Sequence, residues 1–251
     1  MNKTLIALAI AAASTTVSAA EIVKPAELRM NLDLATQDSV FSYDLNNDQY
    51  SPDEVWTLDA VAAGNALMMF EKSAMSSGNT LGIYDLNSNS SLEIFAGAAN
   101  QGDRTTVSQV SNNFIATYYD AAGFVTGQSF ADFGGDQSFG FYLSTPRDPT
   151  FYSQSALNGD LDGDGEYDDH LATYQGDNVE IMDPDGDGNY GLFTNNNYIL
   201  AWEDLPFSSS DKDFADMVVM VESFIPVPEP TSLALLGLGL AGFGAARRNK
   251  A

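Results

Sequence analysis

Five carboxylates recur at alternate positions in Asp160-Leu161-Asp162-Gly163-Asp164-Gly165-Glu166-Tyr167-Asp168. Asp160, Asp162, Asp164, Glu166 and Asp168 occupy positions 1, 3, 5, 7 and 9 of a loop whose position 6 is Gly165. A tight glycine turn lets that spacing aim several oxygens at one point, and Ca²⁺ takes about six to eight oxygens at roughly 2.3–2.6 Å. Position 12 is Leu171, so the bidentate Glu of an EF-hand is missing, and no amphipathic helix flanks the loop. Asp183, Asp185 and Asp187, in Asp183-Pro184-Asp185-Gly186-Asp187-Gly188-Asn189, repeat the opening spacing between two apolar runs. Asp44 to Asp48 is a weaker echo. Further on, Glu203, Asp204, Asp213 and Asp216 stand between two apolar segments and could converge on one cation. The competing reading is an Asp/Gly turn whose side chains cap its own backbone. For the first loop, carboxylates with no basic neighbours in sequence favour a cation, because they would otherwise repel one another.

Catalysis finds little support. His170 is the single histidine, beside Asp169, and no Gly-x-Ser-x-Gly turn presents a serine to it. One histidine cannot make a two-histidine metal motif, and no glycine-rich phosphate loop precedes a helix. The chain has no cysteine, which excludes thiol nucleophiles and disulfide stapling. The acidic residues offer many carboxylate pairs of the kind glycosidases use, but their separation cannot be read from sequence. His170 is expected to pack or hydrogen-bond at a strand start.

The elements that must position these residues read as short strands. Thr80 onward alternates apolar runs with Gly/Asn/Asp/Ser turns. Leu81–Tyr84 and Leu92–Phe95 form a hairpin signal, followed by Thr105–Val110, Asn113–Tyr119 and Ser138–Leu143. Later strands are expected at His170–Tyr174, Asn178–Met182, Tyr190–Phe193, Tyr198–Trp202 and Met217–Ser223. Ala66–Phe70 reads as a buried strand. Ser51-Pro52-Asp53-Glu54 carries a helix-start pattern, which predicts a helix from Pro52 to about Ala62. Glu21 to Tyr43 lacks a clear period and is expected to be extended. The expected fold is all-β: one antiparallel sandwich or jelly-roll-like domain over residues 21–226. Its aromatic residues are assigned mainly to core and cross-strand packing, with a carbohydrate-stacking platform as the other option.

Both ends read as addresses. Asn2-Lys3, an apolar run from Leu5 to Ala13, and the small residues Val17-Ser18-Ala19-Ala20 make a secretory signal peptide, with cleavage before Ala20 or Glu21. At the other end Val227-Pro228-Glu229-Pro230 precedes an uncharged run, Thr231 to Ala246, then Arg247-Arg248-Asn249-Lys250. As a helix that run would reach about 24 Å, just short of a bilayer's hydrocarbon core. The formal net charge is −25, from 35 acidic and 10 basic residues, with four basic residues in the terminal segments. Such a surface repels nucleic acid and anionic lipid, so both are set aside as partners.

Three resemblances follow from these residues. The Asp160 loop resembles calcium loops of the dockerin or thrombospondin-repeat kind. Val227 to Ala251 resembles the PEP-CTERM sorting signal of Gram-negative bacteria. That implies export across the inner membrane, transient anchoring by the terminal helix, processing near Pro230 by an exosortase-type transpeptidase, and a surface or matrix destination. Trp202-Glu203-Asp204-Leu205-Pro206, then Asp211-Lys212-Asp213-Phe214-Ala215-Asp216, resembles domain of unknown function 4114 over about Ser138 to Val221. Ala215 departs from it where Asn is expected, which removes one hydrogen-bonding or ligand contact. Together these imply a non-catalytic surface protein, calcium-binding and associated with exopolysaccharide. The alternative is a calcium-dependent glycan-binding or adhesive module, and a third option is a secreted glycoside hydrolase.

Overall fold

Tyr198-Ile199-Leu200-Ala201-Trp202 and Met217-Val218-Val219-Met220-Val221 are buried at every position, so both segments have apolar packing on both faces. Successive strand side chains point to opposite faces. Tyr198, Leu200, Trp202, Met217, Val219 and Val221 enter one core, while Ile199, Ala201, Val218 and Met220 enter another. These two strands, buried on both faces, are therefore the centre of the domain's packing.

The computed structural model describes residues 19–59, 63–147 and 149–228. The signal-peptide stretch 1–18, and Glu229, Pro230, Arg247 and Arg248 of the sorting signal with its hydrophobic run, lie outside the described residues; Val227 and Pro228 lie inside. The described residues up to Val227 belong to one compact unit. Its elements are α1 (Ala26–Ala35), β1 (Trp56–Leu58), β2 (Gly64–Phe70), β3 (Thr80–Asp85), β4 (Ser91–Phe95), β5 (Arg104–Val110), β6 (Asn113–Tyr119), β7 (Val125–Asp132), β8 (Ser138–Ser144), β9 (Thr150–Tyr152), α2 (Ser155–Asn158), β10 (Leu171–Gln175), β11 (Ile181–Met182), β12 (Gly191–Leu192), β13 (Asn197–Trp202), β14 (Met217–Glu222) and β15 (Phe224–Pro226). The central sheet has the order β10-β13-β14-β2-β5-β6-β7. A second sheet runs β15-β1-β8-β3-β4, with β9 on β8, and β11-β12 is a separate hairpin. The strand pairings are antiparallel.

The two large sheets share the first core. Trp56 sets its ring edge-on to Phe141 of its own sheet and to Tyr198 of the other, with centroids 5.4 and 5.2 Å away. Phe114 and Phe139 meet across the same seam. On the far face of the central sheet, Leu28 and Leu32 of α1, with Phe41, Leu45, Met182, Phe193 and Phe214, cover the second core.

Two local expectations are corrected. Residues 21–43 are not extended throughout: α1 forms there. Leu28, Met30, Leu32 and Leu34 alternate with a strand-like period that hides the helix, in which only Leu28 and Leu32, one helical turn apart, are buried. The helix expected from Pro52 is instead β1, paired with β15 and β8. Trp56 is fully buried in the inter-sheet core and donates from Nε1 to Asp53 O, so tertiary packing overrides the capping pattern. The all-β expectation is thus amended by α1 and the short α2. Among the described residues no helix is long and apolar enough to cross a membrane.

Candidate metal centre

Three acidic clusters bring oxygens within 4.8 Å of one another: Asp160–Asp162–Asp168, Asp183–Asp185–Asp187 and Glu203–Asp213–Asp216. Two oxygens bound to one Ca²⁺ at about 2.4 Å each cannot be more than about 4.8 Å apart, so all three meet the distance condition. Their electrostatic surroundings separate them.

In the first loop the carboxylates bond their own backbone. Asp160 accepts the N–H groups of Gly163 (2.7 Å) and Gly165 (3.0 Å). Both glycines have φ in the left-handed region, +82° and +96°, which a side chain would strain. Asp164 accepts Glu166 N–H, and neither Asp164 nor Glu166 joins the cluster. Lys212 Nζ lies 3.2 Å from Asp162 Oδ2 and 3.2 Å from Glu21 Oε2, with its ammonium over the Phe207 ring. The expectation of carboxylates without a basic partner is therefore corrected. Lys212 is fifty residues downstream, and only the fold brings it to the loop.

The second loop is the turn between β11 and β12. Asp183 accepts Asp187 N–H (3.1 Å) and Gly188 N–H (2.9 Å). Arg104 of β5 is ion-paired with Asp185, so a cationic side chain is present here too. Asp44 only closes a turn: its Oδ1 accepts Asn46 and Asn47 N–H.

The third cluster lies where β13 ends and β14 begins. Trp202 and Met217 are register partners, which places the flanking acids at one end of the central sheet. Each carboxylate accepts a backbone N–H: Leu205 to Glu203 Oε1 (3.3 Å), Ala215 to Asp213 Oδ1 (2.8 Å) and Asp204 to Asp216 Oδ2 (2.9 Å). Glu203 is fully buried, and its Oε2 has no hydrogen-bond partner. Asp213 and Asp216 are half-buried, leaving a side for water. Among the described residues, lysine and arginine form no ion pair with these three. Burial, together with the neighbouring Glu203 and Asp204 charges, pushes Asp216 up to about 9. Burial pushes Glu203 up to about 7, against the opposing pull of Ser210 and Asp216. Asp213 is also raised, first by burial and then by Asp211 and Glu27. Asp204 stands outside the cluster, its Oδ2 accepting from Ser73 Oγ and from Asn79 Nδ2 (2.8 Å). Ala215 is buried in the second core, so its side chain supplies packing where an Asn would bring polarity.

His170 sits behind this centre. Its ring stacks on Phe151 at 3.8 Å and lies against Phe207, and Nδ1 donates to Glu203 O at 3.0 Å. Burial lowers its pKa to about 3, so the imidazole is neutral and acts as a packing spacer. The sequence did not reveal that it anchors the backbone of Glu203.

Residues 226–248 match the PEP-CTERM protein-sorting motif. Residues 125–223 match a domain of unknown function, DUF4114, which therefore begins before Ser138 and includes β7. No curated protein matches the chain. A PEP-CTERM motif and a DUF4114 domain are thus present, and the chain carries the address of an exported, exosortase-sorted surface protein. All three acidic clusters fall inside the DUF4114 match.

Lys212 gives a direct test of the first loop. A Ca²⁺ ion entering this loop would have to displace Lys212 from Asp162, so Lys212→Gln should strengthen any such binding about fivefold, the size of a partly exposed ion pair worth ~1 kcal/mol. Calorimetric titration of a variant with the third cluster neutralised reads this; unchanged affinity would mean that Asp162 does not ligate the ion.

Proposed function

We propose that this is a non-catalytic cell-surface protein whose β domain is built around a bound Ca²⁺. The ion is held by Glu203, Asp213 and Asp216, with water completing a shell of about six to eight oxygens. The observation that carries this reading is Glu203, fully buried with its Oε2 unpaired, in a side chain that brings a carboxylate oxygen within 4.8 Å of oxygens of Asp213 and Asp216. A buried, unpaired carboxylate is expensive unless a cation or proton compensates it. The Asp160 and Asp183 loops are secondary sites, where Ca²⁺ competes with Lys212 and Arg104. In this reading the two large sheets form a jelly-roll-like sandwich, and the chain is exported across the inner membrane of a Gram-negative bacterium. It is anchored briefly by its terminal helix, processed by an exosortase, and retained in exopolysaccharide. Ala20 is the first residue of the mature chain: its side chain is buried and its carbonyl accepts from Gln49.

Calorimetry tests the ion. Ca²⁺ should bind the mature protein, Mg²⁺ more weakly because it demands a smaller octahedral shell, and Glu203→Gln with Asp216→Asn should remove the tightest site. Undiminished binding in that double variant would refute the assignment. Mass spectrometry of surface-extracted protein tests the sorting, with Ala20 expected at the new N-terminus and a cut near Pro230 at the other. An intact Ala251 on the surface form would refute processing.

A further inference from the structure

Outside the acidic clusters, the strongest feature is on the outer face of the second sheet. Gly82-Ile83-Tyr84 of β3 and Gly140-Phe141-Tyr142 of β8 carry the same Gly-x-Tyr pattern and run antiparallel, so Gly82 faces Tyr142 and Tyr84 faces Gly140. A Cβ on Gly82 would meet the Tyr142 ring at 2.5 Å, and one on Gly140 would meet the Tyr84 ring at 2.4 Å. Each tyrosine ring therefore lies across the neighbouring strand's glycine instead of standing up from the sheet. Tyr152 of β9 pairs with Tyr142 in register and sets its ring edge-on to Tyr84, with centroids 5.2 Å apart. The three rings are partly exposed and line a groove of about 750 Å³.

The groove's other chemistry is polar and nearly uncharged. Gln154 accepts the Tyr84 hydroxyl at 2.7 Å, and among the described residues none accepts from its amide N–H groups. Asn89, Ser91 and Thr150 also line the groove. Among the described residues its single carboxylate is Asp85, which is buried and accepts from Asn87 N–H and Ser88 Oγ, and no lysine or arginine lines the groove. Flat aromatic faces, hydroxyls and an uncommitted amide suit a ligand with apolar C–H faces and many hydroxyl groups. A strongly acidic protein with no basic residue in the groove disfavours an anionic ligand.

We propose that this groove binds an uncharged polysaccharide chain, with sugar rings stacked on Tyr84, Tyr142 and Tyr152 and hydroxyls bonded to Gln154. The proposal rests on the exopolysaccharide association in the reading above and gives it a site. Tyr84 and Tyr142 also shield glycine backbone, so their truncation would confuse stability with binding. Tyr152 and Gln154 cover no glycine and are the clean positions. The mature protein, loaded with Ca²⁺, is applied to an array of immobilised neutral glucans, mannans and galactans beside anionic alginate, and to the host's own exopolysaccharide. Binding to at least one neutral glycan is expected, with Tyr152→Ala and Gln154→Ala each weakening it tenfold or more while both variants stay folded at the assay temperature and their Ca²⁺ titration is unchanged. Glycan binding indifferent to both variants would overturn the groove and leave the matrix association standing. Equal binding to alginate would overturn the uncharged class. Binding to no glycan, the host's exopolysaccharide included, would overturn the groove and the association together.

Discussion

Millimolar Ca²⁺ is expected to raise the melting temperature of the mature protein, and chelator to lower it, well beyond any effect of matched Na⁺. On the proposed reading the ion binds the folded chain, where Glu203, Asp213 and Asp216 converge, and not the unfolded one, where they are dispersed. Mass action then contributes about 2.7 kcal/mol at a hundred times the dissociation constant and about 4.1 kcal/mol at a thousand times. The pH dependence has a definite sign. Asp216 and Glu203 are raised to about 9 and about 7, so without the ion the folded state holds protons that the unfolded state has released above about pH 4. Stability of the chelated protein should therefore fall, through this cluster, as pH rises from about 4 to about 9. Ca²⁺ takes the place of those protons, so its stabilising effect should grow across the same window. His170 acts at the acid end: buried neutral with its pKa near 3, it contributes stability above its unfolded value that is lost as pH falls below about 6.5. Comparing wild type with Glu203→Gln/Asp213→Asn/Asp216→Asn isolates the cluster. A Ca²⁺ response of equal size in that variant, or one that shrinks with rising pH, would remove the ion from this site.

How much of this was legible depends on how many faces of a segment the fold uses. β13 and β14 were readable because both faces are buried, which forces continuous apolar runs. β3, β4, β5 and β6 were readable from their turns and alternation. β7 was not: it is the edge strand of the central sheet, its residues are all exposed or half-exposed, and Phe124, Val125 and Phe130 face solvent. With no buried face there is no period to read. The acidic residues were found by type and spacing, but their counter-charges were not. Lys212 and Arg104 reach Asp162 and Asp185 from 50 and 81 residues away. Asp204 reads in sequence as a companion of Glu203, yet alternation turns it to Ser73 and Asn79. The Gly-x-Tyr pairs were individually visible, and only strand register makes them one surface.

The two tryptophans carry the largest expected losses in the core, and they should differ in an informative way. Both are fully buried, and truncation of either to alanine should cost about 3–5 kcal/mol. Trp56 stands at the seam between the sheets, with its Nε1 donating to Asp53 O. Trp202 Nε1 is buried with no hydrogen-bond partner. Replacement by phenylalanine keeps most of the apolar volume and isolates that contrast. Trp56→Phe removes a donor and orphans a buried carbonyl, which adds about 1–3 kcal/mol to the packing loss. Trp202→Phe discards an N–H that is already unpaired, so its cost should be the packing loss alone, partly offset by the relief. Urea unfolding with Ca²⁺ saturating in both proteins should therefore place the Trp56→Phe midpoint lower than the Trp202→Phe midpoint at similar slopes. The opposite order would mean that the Trp202 indole N–H is satisfied in solution, which requires a bound water at that end of the central sheet, one residue from Glu203.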